Sequence, residues 1–181
     1  MTYDIYQVNQ EHYVEAAKAF ILQVNALIKS KTVIDQRAIQ ANDALNIAES
    51  YLTDGDGVFK FIALTKTGGS VAGLMTLKVQ DTDVKVEDLC ASPTMPGTGT
   101  ELIERAVQFS ERRGKNGCLT LTDMSKPKVE GGKTFYGALG FIGPPGDLKR
   151  TLNPNANPGI WTPLQKQSGK SWIKKKVTFV A

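Results

Sequence analysis

The segment Gly97-Thr98-Gly99-Thr100 lies where an apolar run gives way to a helical pattern. The first turn of a helix leaves backbone N–H groups without intrahelical partners, and these groups carry partial positive charge. Glycines let the backbone approach a ligand closely, and threonine hydroxyls add hydrogen-bond donors. The segment therefore predicts a site for phosphate oxygens, and a plain tight turn is the alternative.

Two acidic residues, Glu87 and Asp88, lie in the apolar run before this turn. Because adjacent strand residues point to opposite faces of a sheet, only one of the two side chains can face a bound acceptor. That carboxylate is a candidate general base. The alternative is that both are solvated at an exposed strand end.

Hydrophobic periodicity predicts the elements that position these residues. The first part of the chain reads as a strand, two helices and three antiparallel strands, over 3–8, 10–29, 36–52, 58–65, 70–79 and 84–91. A helix from about Thr100 to Arg113 and a strand over 117–122 follow, which implies a right-handed parallel crossover. A short helix over 134–139, a strand beginning at Gly140, a loop-rich segment over 143–159 and a closing strand over 172–180 complete the chain.

This order predicts an α/β fold with a single mixed, mostly antiparallel sheet, one parallel strand-helix-strand crossover and flanking helices. We expect one domain over 1–181, in which a basic C-terminal extension from about 143 to 181 completes the sheet. The cysteines Cys90 and Cys118 lie in strand patterns and are expected to be reduced core residues of a cytoplasmic protein. No apolar run is long enough for a membrane span, and the single His12 lacks a second ligand for a metal.

The net charge of +4 is distributed unevenly. Residues 148–181 contain seven Lys or Arg and no Asp or Glu, whereas the other residues contain 15 basic and 18 acidic side chains. The basic segment is a candidate surface for an acidic partner, either RNA or an acidic protein. The alternative is a solvated charged edge that prevents strand pairing with other molecules. The sequence does not fix the oligomeric state, and a dimer stays open.

Three features together resemble the GNAT superfamily of acyl-CoA-dependent N-acyltransferases. The order of the elements is similar over about residues 1–142. The acyl-CoA loop of the family and the helix behind it are similar to Pro93, Gly97-Thr98-Gly99 and Leu102-Ile103 in this chain. Phe135-Tyr136-Gly137-Ala138-Leu139-Gly140-Phe141 matches the segment F-Y-x-x-x-G-F of the family. The chain departs from the family at Thr94, where the acyl-CoA loop usually has Gln or Arg.

The resemblance implies acetyl-CoA as cosubstrate and no metal. The pantetheine arm would lie against the backbone of Leu89, Cys90 and Ala91. The pyrophosphate would lie over the turn and the helix start, at Met95, Gly97, Thr98, Gly99 and Thr100. The thioester would lie where the sheet splays between the strands that end near Ala91 and begin near Cys118.

The implied reaction moves an acetyl group to a primary amine of unknown class. Tyr136 would protonate the leaving thiolate, because a phenol is protonated at neutral pH, and simple packing beside Phe135 and Phe141 is its alternative role. Glu87, Asp88 or a water would act as the base, and a backbone N–H of 89–91 would meet the oxyanion. Two other functions stay open. One is a non-catalytic acyl-CoA-binding module, and the other is an RNA-directed protein such as a toxin that acetylates aminoacyl-tRNA.

Overall fold

The computed structural model describes residues 3–30, 57–125, 134–166 and 169–174, with side chains through residue 162. The helix predicted over 36–52 lies outside the described residues. The closing strand predicted over 172–180 lies mostly outside them, and the other predicted helices and strands lie within them.

The main sheet contains six strands in the order β1-β2-β3-β4-β5-β6. Its strands are Tyr3–Val8 (β1), Val58–Thr65 (β2), Val71–Val79 (β3), Val84–Ala91 (β4), Leu119–Thr122 (β5) and Lys149–Leu152 (β6). Two longer helices, Gln10–Lys29 (α1) and Thr98–Arg112 (α2), and the short helix Phe135–Ala138 (α3) accompany them. The mixed α/β sheet with flanking helices confirms the predicted fold class.

Helix α1 forms because its apolar side chains recur on one face. Asn9 caps its N-terminus by accepting a hydrogen bond from the backbone N–H of His12 at 2.9 Å. The buried face of the helix packs with residues of β2, β3 and β4, including Ile62, Leu74 and Cys90. The strongest helical pattern of the sequence thus forms one side of a hydrophobic core.

Chain contacts divide the molecule into two compact units, one of Met1–Lys78 with Val86–Ile103 and one of Val79–Lys85 with Glu104–Ala181. In the first unit, Gly73 of β3 allows a close approach of neighbouring elements. A Cβ atom at Gly73 would lie 2.8 Å from the backbone oxygen of Cys90 and 2.9 Å from Cγ2 of Thr98. A glycine is needed here because both β4 and the start of α2 occupy the space of a side chain.

In the second unit, β5 pairs with β6 in antiparallel register, from Leu119 opposite Leu152 to Thr122 opposite Lys149. The hydroxyl of Ser110 in α2 donates a hydrogen bond to the carbonyl of Cys118 at 2.7 Å. Two further strands, Trp161–Lys166 (β7) and Gly169–Lys174 (β8), form a separate two-stranded antiparallel sheet.

The structure corrects several predicted boundaries. Strand β5 begins at Leu119, two residues after the predicted start at Gly117. Helix α2 begins at Thr98, two residues before the predicted start at Thr100. No strand begins at Gly140, because Ile142 forms only an isolated bridge with Thr151. The strand instead lies at β6, inside the predicted loop, where a four-residue segment with two cations carries no alternating pattern. The predicted closing strand begins three residues earlier, with β8, and its last residues lie outside the described part.

Neither cysteine forms a disulfide, and Cys90 is buried while Cys118 is half-buried. Burial raises the pKa of the Cys118 thiol, and the nearby acidic side chains of Asp83 and Glu111 raise it further. Across the described residues, we find no helix with the length and apolar character that crossing a bilayer requires.

We predict that Gly73→Ala lowers the free energy of unfolding by about 1–3 kcal/mol, because its new methyl group meets backbone that must shift. Urea unfolding at neutral pH measures the change. Gly68→Ala is the matched control, since a Cβ there meets only the hydroxyl oxygen of Thr65, at 3.9 Å. Equal stability of the two variants would contradict the close approach at Gly73.

Candidate active site

The predicted phosphate-binding turn connects β4 to α2. Gly97 has a φ of +89°, a left-handed conformation that favours glycine, and it is exposed. The backbone N–H of Glu101 donates to the carbonyl of Gly97 at 3.0 Å, which closes the first turn of α2. The N–H groups of Thr98, Gly99 and Thr100 precede this bond and have no earlier helical carbonyl to reach. The turn therefore places a left-handed glycine directly before a helix N-terminus, and phosphate binding there stays a prediction.

The hydroxyl of Thr98 has a different role from the one predicted. Thr98 is fully buried, and its hydroxyl donates to the carbonyl of Met95 at 2.8 Å. Its proton therefore closes the turn and is not offered to a ligand. Half-buried Thr100 keeps a hydroxyl near the start of the helix. Of the two threonine hydroxyls in the segment, only that of Thr100 fits the predicted donor role.

Residues of strands β1 and β3 form hydrogen bonds with the segment that contains this turn. The phenol hydroxyl of Tyr3 donates to the carbonyl of Pro96 at 3.0 Å. The backbone N–H of Ser92 donates to the carbonyl of Ala72 at 2.8 Å. Thr94, at the position where the resembled family has Gln or Arg, is exposed, and its hydroxyl shares a hydrogen bond with that of Ser92 at 3.1 Å. The turn is thus fixed from both sides before any ligand binds.

The two candidate bases lie on opposite faces of β4, as strand alternation requires. Asp88 shares a face with Cys90, which belongs to the core cluster under α1. Glu87 lies on the other face with Leu89 and Ala91, and both carboxylates are half-buried. The structure thus separates the two carboxylates and associates Asp88 with α1.

Tyr13 of α1 belongs to this core and carries a polar group, and the sequence analysis did not identify it as a candidate site residue. It is fully buried, and its hydroxyl has no hydrogen-bond partner among the described residues. Burial raises the pKa of Tyr13 well above its usual value, and the charges of Cys90 and Asp88 raise it further. The phenol is therefore a neutral group close to both. In the sequence, the only sign that Tyr13 carries a buried polar group is its hydroxyl on an otherwise apolar helix face.

Tyr136 lies on α3, in the second unit. Its ring contacts Phe135 at a centroid distance of 4.9 Å and Phe141 at 5.5 Å, both edge to face. Its carbonyl accepts hydrogen bonds from the N–H groups of Leu139 at 2.9 Å and Phe141 at 3.1 Å. The ring contacts agree with the packing alternative, and they also hold a half-buried phenol in a defined orientation.

Solved structures share this architecture. A protein from Desulfovibrio desulfuricans, assigned to the GNAT family of acetyltransferases, matches with a TM-score of 0.58 and 12% identity over 84% of this chain and 99% of that one. PaiA N-acetyltransferase from Thermoplasma acidophilum, solved in complex with coenzyme A, matches with a TM-score of 0.53 and 15% identity over the same shares. The chain has the GNAT fold.

A third GNAT-fold structure, a protein from an Exiguobacterium species assigned as an acetyltransferase, has a TM-score of 0.50 and 20% identity over 88% of this chain and 98% of that one. No family model and no curated protein matches the sequence. The first unit contains the predicted cofactor residues 89–91 and 95–100 and the carboxylates Glu87 and Asp88. Tyr136 belongs to the second.

We predict that Tyr13 makes the fold sensitive to alkaline pH. Because the folded-state pKa lies above the usual value of about 10, the unfolded chain loses this proton first, and stability falls as the pH rises past 10. Between pH 10 and 11, wild type should lose roughly 1 kcal/mol more than Tyr13→Phe in urea unfolding. Tyr6→Phe, at an exposed tyrosine, is the control and should follow wild type. Parallel pH profiles of wild type and Tyr13→Phe would contradict this assignment.

Proposed function

We propose that the chain transfers an acetyl group from acetyl-CoA to a primary amine. The observation that carries the proposal is the GNAT fold, shared over most of both chains with an N-acetyltransferase solved with coenzyme A. The left-handed Gly97 before the start of α2 and the carboxylates of β4, all in the first unit, support it.

The first unit supplies the groups for the cosubstrate. The exposed Gly97, the half-buried Met95 and Thr100, and the first-turn N–H groups of α2 fit a diphosphate. The diphosphate would be held mainly by backbone amides, because Thr94 lacks the reach of Gln or Arg and Thr98 donates within the turn. The pantetheine arm would follow the backbone of residues 89–91, where a backbone N–H would also meet the oxyanion.

We assign the role of general base to Asp88. It shares its face of β4 with the core under α1, and its charge contributes to the raised pKa of the buried Tyr13. Its position on the face of the apolar core distinguishes it from a carboxylate at an exposed strand end. Glu87, on the opposite face, lacks this environment. A direct role of Asp88 and relay through a water both agree with the assignment.

The reaction balances with these groups. The neutral amine attacks the thioester carbonyl, and a C–N bond forms as the carbonyl carbon becomes tetrahedral. The C–S bond then breaks, and the thiolate of CoA takes the phenol proton of Tyr136. The proton lost by the nitrogen goes to Asp88, and solvent restores both groups. The products are the acetylated amine and free CoA.

We predict that Tyr136→Phe lowers kcat for acetyl transfer by about 10²-fold, because the leaving thiolate loses its proton donor. Thiol release from acetyl-CoA with a panel of primary amines measures the rate. Calorimetric titration with acetyl-CoA should show unchanged affinity, since the removed hydroxyl acts on the sulfur only during the reaction. Tyr6→Phe is the control. An unchanged kcat in Tyr136→Phe would remove Tyr136 from the mechanism.

We predict different effects for the two carboxylates of β4. Asp88→Asn should lower kcat/KM for the amine by about 10²-fold at neutral pH, and a higher pH should recover part of the loss by deprotonating the amine in solution. Glu87→Gln is the matched control and should stay within about threefold of wild type. The reverse ranking would assign the base to Glu87, and two active variants would leave water as the base.

A non-catalytic acyl-CoA-binding module is the alternative that the same experiments separate. Such a module would bind acetyl-CoA in the titration and release no thiol with any amine. A protein directed to RNA by its basic segment would show salt-dependent binding to RNA. For that function, Trp161 is not available to stack on bases, because it is 1% exposed.

A further inference from the structure

We propose that Asp123, Thr134 and Trp161 are positioning residues that hold α3 at both ends and so fix the phenol of Tyr136. The inference rests on the proposed role of Tyr136 as the acid. The sequence analysis placed Thr134 at the start of the predicted short helix and Trp161 in the C-terminal extension, and it assigned no site role to any of the three residues. All of the contacts that carry it lie within the second unit.

Asp123 follows β5 and is 4% exposed, an unusual burial for a carboxylate. One of its oxygens accepts hydrogen bonds from the backbone N–H of Ser125 at 2.9 Å and from its hydroxyl at 2.5 Å. The other oxygen accepts from the hydroxyl of Thr134 at 2.9 Å and lies 3.8 Å from Nε of Arg150. The buried charge is thus compensated on both oxygens by three separate parts of the chain.

Thr134 connects this carboxylate to α3. It is the N-cap residue, and its hydroxyl accepts a hydrogen bond from the backbone N–H of Gly137 at 3.1 Å while donating to Asp123. Its carbonyl accepts from the N–H of Ala138 at 3.0 Å. Because one hydroxyl makes both bonds, Asp123 fixes the orientation of the cap and therefore the first turn of α3.

Trp161 holds the other end of the same helix. Its indole Nε1–H donates to the carbonyl of Leu139 at 2.9 Å, in a buried position. The next residue, Gly140, has a φ of +87°, and a Cβ there would lie 3.1 Å from Oδ1 of Asn157 and from Cδ1 of Ile160. The segment before β7 therefore packs closely against the point where α3 ends.

A helix of four residues has little stability of its own, because nucleation costs more than one turn of hydrogen bonds returns. The position of Tyr136 must therefore come from contacts at the ends of α3 and from the two neighbouring rings. A displacement of about 1 Å is enough to cost a reaction up to 10²-fold in rate. The contacts at the two ends of α3 therefore affect the reaction rate, although neither of them touches the substrate.

A double-mutant cycle tests the inference. Thr134→Val removes both hydroxyl bonds with little change of volume, and Thr134→Ser keeps them. Thr134→Val should lower kcat about tenfold with an unchanged KM for acetyl-CoA, and Thr134→Ser should restore it. In the Tyr136→Phe background, Thr134→Val should have no further effect, because the group that it positions is already gone. An equal loss in both backgrounds would overturn the inference while leaving the proposed function intact.

A second measurement does not depend on activity. Backbone amide hydrogen exchange over 135–141 should become about fivefold faster in Thr134→Val, Asp123→Asn and Trp161→Phe. Asp147→Asn is the matched control, since Asp147 is exposed and its side chain accepts from the backbone N–H of Lys149 at 2.8 Å. Its bond from Arg150 goes to the backbone carbonyl, which the substitution leaves in place. Unchanged exchange in the three variants would show that α3 is not held by these contacts. If exchange changes but Tyr136→Phe keeps full activity, the contacts are confirmed and the acid assignment fails.

Discussion

The close approach at Gly73 is the constraint on which the first unit depends. A side chain there would collide with the backbone of β4 and with Thr98 at the start of α2. Without that side chain, the start of α2 lies directly on the sheet, and the turn between β4 and α2 must be short. The left-handed Gly97 and the buried bond from Thr98 to Met95 then follow as the way to close such a turn. The position of the first-turn N–H groups of α2 thus results from the packing of the start of α2 against Gly73.

In the second unit, polar contacts determine the position of a helix too short to form alone. Asp123 and Trp161 come from a strand end and from the C-terminal segment, and both contact α3 or its cap. The buried carboxylate is costly unless every partner is present, so its network specifies one arrangement of the chain. The aromatic rings beside Tyr136 add orientation to this framework. Segments distant in sequence therefore share the task of holding one phenol.

The sequence predicts those parts of the fold that have a strong period. Helix α1 and strand β4 were predictable because each buries a regular face. Strands β2 and β3 were predictable as nearly continuous apolar runs between turns. Strand β6 was not, because its four residues pair with β5 through backbone atoms and show little apolar pattern. The glycine turn was singled out by residue type and spacing, and Tyr136 by the resemblance of its segment to the GNAT superfamily. Asp123 was not recognised as a buried network residue, because its partners Thr134 and Arg150 are remote in sequence.

The hydrogen bonds of a polar group show whether it is part of the fold or available for chemistry. Thr98 and Thr134 carry the same hydroxyl at a helix start, yet each donates to a group of the protein and is part of the fold. Tyr13 differs, because its buried hydroxyl has no such partner among the described residues. An unsatisfied buried donor costs about 1–3 kcal/mol, so it is retained only where the surrounding packing or a bound molecule compensates. The charge of Asp88 acts on this phenol and raises its pKa. The unsatisfied hydroxyl of Tyr13 thus interacts electrostatically with the residue that we assign as the base for the amine.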